Sequence, residues 1–176
     1  MLASTPVTKS RKPSAVTGLL TNAAPMARVA AIISSVQIGR QILIYPVTDH
    51  DFATGSYREF ADGMLLTREA MIYYWNCYAP APRDRTDFKL SPLRAASLAG
   101  VAQAFIMTAE FDPLRDEGEA YAVRLREAGV PVVVRRYAGL IHGFLAMHQV
   151  SAAARQANDD IYACILETAM LSGTNR

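Results

Sequence analysis

Three short apolar runs, each followed by a helical pattern, constrain this chain more than any other feature. Gln41-Ile42-Leu43-Ile44-Tyr45 stops at Pro46, Ala102–Thr108 leads into Phe111-Asp112-Pro113, and Pro131–Tyr137 carries Val132-Val133-Val134. Runs of this length and β-branched content read as buried strands, the last of them buried on both faces. Between them Thr67 caps a helix predicted to reach about Tyr78, with Glu69 in its first turn and Pro80 and Pro82 past its end. Glu117–Ala128 is amphipathic through Ala120, Tyr121, Val123, Leu125 and Ala128, and Gly129 suits the left-handed position after a helix. A closing helix is predicted from about Ser151 to Leu171 with Ile161, Ile165 and Leu166 inward, and an early one over Ala27–Val36 stopped by Gly39. Asp49–Asp62 and Arg83–Ser97 read as polar loops. Alternating strands and helices require right-handed crossovers, hence an α/β fold with a short parallel sheet of about three strands and covering helices.

Charge and length narrow the function classes. The 176 residues carry a net charge of +2, too small and too scattered for a nucleic-acid or anionic-membrane partner. Arg11-Lys12 and Arg135-Arg136 are adjacent basic pairs and read as solvated faces. No acidic residue precedes Asp49, whereas Lys9, Arg11, Lys12, Arg28 and Arg40 do. Residues 1–25 are therefore read as a poorly ordered leader, with an organelle transit peptide as the alternative, and residues 26–176 as one partial domain. The run Val29–Val36 falls short of the ~20 residues a membrane span needs. Cys77 and Cys164 show no disulfide spacing, so each is read as a buried free thiol inside a helix, in keeping with a cytoplasmic compartment.

In a parallel sheet, sites form where strands end at their carboxyl edge. Asp112 and His142 each follow one of two successive strands. Adjacent strand ends lie about 5 Å apart, within side-chain reach. The carboxylate is then placed to accept the imidazole Nδ1–H, as in the last two members of a Ser…Asp…His triad. Plainer readings stand beside this one: Asp112 could cap the helix after Pro113, and His142 could be a satisfied loop histidine. Asp116 and Glu117 read as helix-start carboxylates, His148 as structural or solvated, and Tyr73, Tyr74, Trp75 and Tyr78 as helix packing. Asp49-His50-Asp51 reads as a polar loop, because consecutive side chains do not easily converge on one metal ion.

The longer motifs are more specific. Glu110-Phe111-Asp112-Pro113-Leu114-Arg115-Asp116-Glu117-Gly118, Leu125-Arg126-Glu127-Ala128-Gly129-Val130-Pro131 and Ala138-Gly139-Leu140-Ile141-His142-Gly143-Phe144 are preceded by Tyr45-Pro46-Val47-Thr48-Asp49 and Leu90-Ser91-Pro92-Leu93. Over about residues 41–165 this order resembles the C-terminal portion of the hormone-sensitive-lipase-like α/β-hydrolases, which hydrolyse carboxylic esters. The resemblance implies Asp112 as triad acid, His142 as general base, a small-molecule ester as substrate, and neither cofactor nor metal. It also places 56–78 beside the acyl or alcohol pocket.

Two family motifs are absent. There is no HGGG-type loop for an oxyanion hole, and no serine has glycine at both i−2 and i+2 to form a G-x-S-x-G elbow. Ser14, in Lys12-Pro13-Ser14-Ala15-Val16, is a weak candidate nucleophile, with Lys and Val where the elbow needs glycine. Ser34 and Ser35 fall inside the predicted early helix. A chain of this kind is expected to be inactive alone, the alternative being a non-catalytic remnant or interaction domain. An open sheet edge would favour self-association.

Overall fold

In the computed structural model, residues 16–20 and 38–173 are described, with side chains for 38–170. The strands β1 (Val16–Leu20), β2 (Ile38–Ile44), β3 (Gln103–Phe111) and β4 (Val132–Ile141) form one parallel sheet in the order β1-β2-β3-β4. Among the described residues the α-helices are α1 (Gly55–Glu59), α2 (Arg68–Tyr78), α3 (Arg115–Glu127) and α4 (Ala152–Gly173).

Period-2 alternation splits the apolar side chains between two layers. Ile42, Ile44, Phe105, Met107, Ala109 and Tyr137 face α4, where they meet Ala154, Ala157, Ile161 and Cys164. Leu43, Ala104 and Ile106 face α3 and pack on Tyr121, Ala122 and Leu125. A third cluster, Tyr57, Leu66, Met71, Trp75 and Leu114, joins α1 and α2 to the start of α3.

Local signals are realised where they predict backbone hydrogen bonding. The Thr67 hydroxyl accepts from the Ala70 N–H at the start of α2. At the end of α3, Gly129 takes φ 76°. The Gly129 N–H donates to the Arg126 carbonyl and the Val130 N–H to the Leu125 carbonyl, a complete Schellman motif.

Several expectations are corrected. β2, β3 and β4 are the three predicted strands, and β1 adds a fourth within the segment read as a leader. Gly39 does not stop a helix but lies inside β2, which begins at Ile38; Ala27–Val36 falls outside the described residues. β4 is not buried on both faces: among the described strands it lies at the end of the sheet, and Val133 is 58% exposed. In α4 the buried positions Ala154, Ala157, Ile161, Cys164 and Thr168 define one stripe, and Leu166 falls well off it, 59% exposed. Val123 of α3 is exposed for the same angular reason, and α3 starts at Arg115 rather than Glu117. Cys164 is buried but Cys77 is exposed, since the inward positions of α2 are Met71 and Trp75. A short helix, α1, interrupts the expected loop Asp49–Asp62. Arg135 and Arg136 are half exposed, yet each pairs with a carboxylate, Asp160 and Glu119 respectively.

Candidate active site

The carboxyl ends of β3 and β4 meet through a shift in their ladder. Ala109 is paired with Tyr137 and Phe111 with Ile141, so β4 accommodates two additional residues in a bulge. Gly139 sits there at φ 72° with its N–H donating to Glu110 Oε2 at 2.7 Å. The left-handed backbone is what glycine permits at no Cβ cost. Beyond the bulge the next residues on each strand are Asp112 and His142.

His142 Nδ1 lies 2.9 Å from Asp112 Oδ2. A carboxylate oxygen only accepts, so Nδ1 carries the hydrogen and donates it. The other carboxylate oxygen, Oδ1, accepts from the Leu114 N–H at 2.9 Å. One side chain thus fills both roles the sequence left open: it shapes the turn into α3 and holds an imidazole. Asp112 is 1% exposed and the His142 side chain 13%.

Tyr45 completes the surroundings of the ring. It has φ 36°, a conformation that costs a bulky residue about 1–3 kcal/mol and persists only where its surroundings fix it. Here they do so with an N–H bond to the Met107 carbonyl (2.7 Å) and with ring contacts to His142 (centroids 4.4 Å) and Phe144 (5.2 Å). Burial, and then the charge of Asp112, raise the Tyr45 hydroxyl above its ordinary pKa, so it is a neutral phenol beside the imidazole.

The loops around the pair are tied down by side chains from other elements. Glu117 Oε1 accepts from the Thr48 N–H (2.6 Å) and the Asp49 N–H (3.2 Å), and Thr48 Oγ1 donates to the Glu117 carbonyl (2.8 Å). Asp116 Oδ2 accepts from the Ser56 N–H (2.7 Å), and Ser56 Oγ donates to the Pro113 carbonyl (2.6 Å). Asp116 and Glu117 are therefore tertiary ties, beyond the helix-start role their position suggests.

The remaining predicted residues lie elsewhere. Asp49 receives two hydrogen bonds from Arg94, at 2.5 and 3.2 Å. Ser91 Oγ donates to the Arg85 carbonyl (2.6 Å), so the His50 Nδ1 at 3.1 Å must itself donate to Ser91. Burial and the neighbouring Arg94 lower the His50 pKa. His148 is exposed with Nδ1 3.1 Å from the Leu145 carbonyl. Of the aromatics on α2, Trp75 is buried and Tyr73, Tyr74 and Tyr78 are exposed. Ser14, Ser34 and Ser35 lie outside the described residues. Among the described residues no group of three His, Cys, Asp or Glu could hold a metal ion. Two residues of the site carry little signal in the sequence. Tyr45 and Glu117 stand inside the family motifs, but apart from them Tyr45 reads as the residue before a strand-ending proline and Glu117 as an acidic residue in a first helical turn.

A sequence profile of the α/β-hydrolase fold matches residues 15–146. The chain is 40% identical over 126 residues to the carboxylic ester hydrolase LipN of Mycobacterium tuberculosis, covering 71% of this chain and 34% of that protein. It is 37% identical over 110 residues to an ethyl acetate hydrolase of Pseudomonas putida, covering 62% and 35%. Among solved structures, an esterase of the fungus Rhizomucor miehei superposes with a TM-score of 0.78 at 38% identity, over 86% of this chain and 47% of that one. EstE1, a thermostable carboxylesterase from a metagenomic library, gives 0.75 at 36% identity, over 81% and 49%. The chain thus spans between about a third and a half of the length of these relatives.

Proposed function

The chain belongs to the hormone-sensitive-lipase-like family of α/β-hydrolases, and on that premise we propose that Asp112 and His142 are the acid and general base of a serine-type carboxylic-ester hydrolysis. The observation that carries the reading is the buried 2.9 Å contact between His142 Nδ1 and Asp112 Oδ2 at adjacent strand ends. In that chemistry a serine hydroxyl attacks the ester carbonyl while the imidazole takes its proton and later returns it to the leaving alcohol. Asp112 fixes the Nδ1–H tautomer and stabilises the imidazolium. The substrate is a small-molecule ester, and the reaction needs neither metal nor organic cofactor. No helix among the described residues is long and apolar enough to cross a membrane.

The 176 residues by themselves are proposed not to turn over esters. No serine in them carries glycine on both sides at the elbow spacing, and Ser14 has Lys12 and Val16 there. Loss of one oxyanion donor alone costs on the order of 10²–10³ in rate. The second reading is a non-catalytic remnant or interaction domain.

The test is hydrolysis of a short-chain p-nitrophenyl ester by the purified chain, beside the same chain extended by the in-frame coding sequence upstream of Met1. The expected result is negligible turnover by the first and hydrolysis by the second that is lost with His142→Ala. Turnover by the 176 residues that survives Ser14→Ala but not His142→Ala would show that a nucleophile had been overlooked. An inactive extended chain would favour the non-catalytic reading.

A further inference from the structure

Glu117 is fully buried in the first turn of α3, five residues after Asp112, and the proposed chemistry gives it no role. One of its oxygens holds the Thr48 and Asp49 N–H groups. The other, Oε2, is buried without a hydrogen-bond partner among the described residues, and so is the hydroxyl of Tyr57, itself fully buried. Leaving such a group unsatisfied costs about 1–3 kcal/mol, more if it is charged. The two groups belong to one cluster: the Tyr57 hydroxyl is pushed far up by burial, then by the neighbouring charges of Glu117 and Asp112 and by its approach to the Glu117 carboxyl.

The charged groups that bear on Glu117 are Asp49, on the loop after β2, and Asp112, after β3. Burial first, and these two carboxylates next, push the Glu117 carboxyl well above its ordinary range, against the lowering effect of the two backbone N–H bonds. A carboxyl shifted in this direction keeps its proton to higher pH than an ordinary glutamate, and a protonated Oε2 has an O–H that the Tyr57 oxygen can accept.

We propose that Glu117 is a positioning residue for the Asp112–His142 pair, gripping the Thr48–Asp49 backbone with one oxygen and bonding the Tyr57 hydroxyl with the other. The segment it grips begins at Tyr45-Pro46, and the Tyr45 ring lies against His142. Glu117 therefore fixes the end of β2 to the turn after β3, so that the residue packed against the imidazole and the residue bonded to it are held by one link.

The inference rests on reading Asp112 and His142 as acid and base, but its test needs no turnover, so it can fail while that reading stands. In the unmodified chain, ¹³C NMR of the Glu117 carboxyl reports its protonation directly. The expected result is titration clearly above the ordinary glutamate range; titration within that range overturns the proposal. Hydrogen exchange of the segment spanning Thr48 and Asp49 is then compared in Glu117→Gln, which keeps a carbonyl acceptor and gains a donor, and Glu117→Met, which fills the space with neither. Exchange on the order of tenfold faster is expected in Glu117→Met, because two buried hydrogen bonds are lost, and little change in Glu117→Gln. The Tyr45–His142 ring NOEs should weaken with the Met variant and persist with Gln. Unchanged exchange in Glu117→Met, or equal disruption by Gln and Met, would overturn the proposal. Should Glu117→Met not fold, the carboxyl titration and Glu117→Gln decide alone.

Discussion

Phe111 stands opposite Ile141, not opposite Gly139 where the Ala109–Tyr137 pairing would carry a regular ladder. The bulge matters because strands advance about 3.3 Å per residue. Without it His142 would overshoot Asp112 by two positions, about 7 Å, beyond hydrogen-bond reach. Bulges are used in this way to re-aim side chains beside active sites.

Gly139→Ala tests the bulge. No heavy atom lies within 4 Å of the Cβ position, so any cost is backbone strain at φ 72° and not a clash. The expected loss is about 1–2 kcal/mol, measured by urea unfolding. Full retention of stability would mean that the ladder slips readily into another register.

Stability should depend on pH through Glu117. Its folded-state pKa is raised above the ordinary 4.5, chiefly by burial. The unfolded chain therefore releases this proton at lower pH than the folded one. The group's contribution is fully present below the unfolded pKa and is lost as pH rises toward the folded pKa. Urea midpoints should fall as pH rises above the ordinary glutamate range in the unmodified chain, and fall less in Glu117→Gln. Parallel pH profiles for the two would refute this assignment of the effect.

Self-association should be measurable for the isolated chain. Tyr162, Leu166 and Met170 form an exposed apolar row at four-residue spacing on α4, and Val133 is exposed on the end strand β4. Size-exclusion chromatography with light scattering is expected to show oligomers, and Leu166→Glu to shift them toward monomer. A clean monomer without substitution would count against it.

Much of this architecture is legible in the order of residues. The apolar runs at 41–45, 102–108 and 131–137 fall on β2, β3 and β4, Thr67 caps a helix and Gly129 closes one, since each is decided by contacts within a few residues. The sequence misleads at Leu166 and Val133, because an apolar side chain does not reveal which face its element turns inward. It misleads at Cys77 on the same ground.

The α/β class, the family and the two residues of the candidate pair follow from the residues alone, because periodicity and motif order are local properties of a chain. That Asp112 and His142 meet is a tertiary fact, since they lie 30 residues apart and join through a bulge that strand propensity does not encode. The bend of Tyr45 against the imidazole and the burial of Glu117 are tertiary facts as well. Burial depends on what packs over a residue, and for Glu117 that includes Tyr57 and the Thr48–Asp49 backbone, contributed from some 60 to 70 positions away.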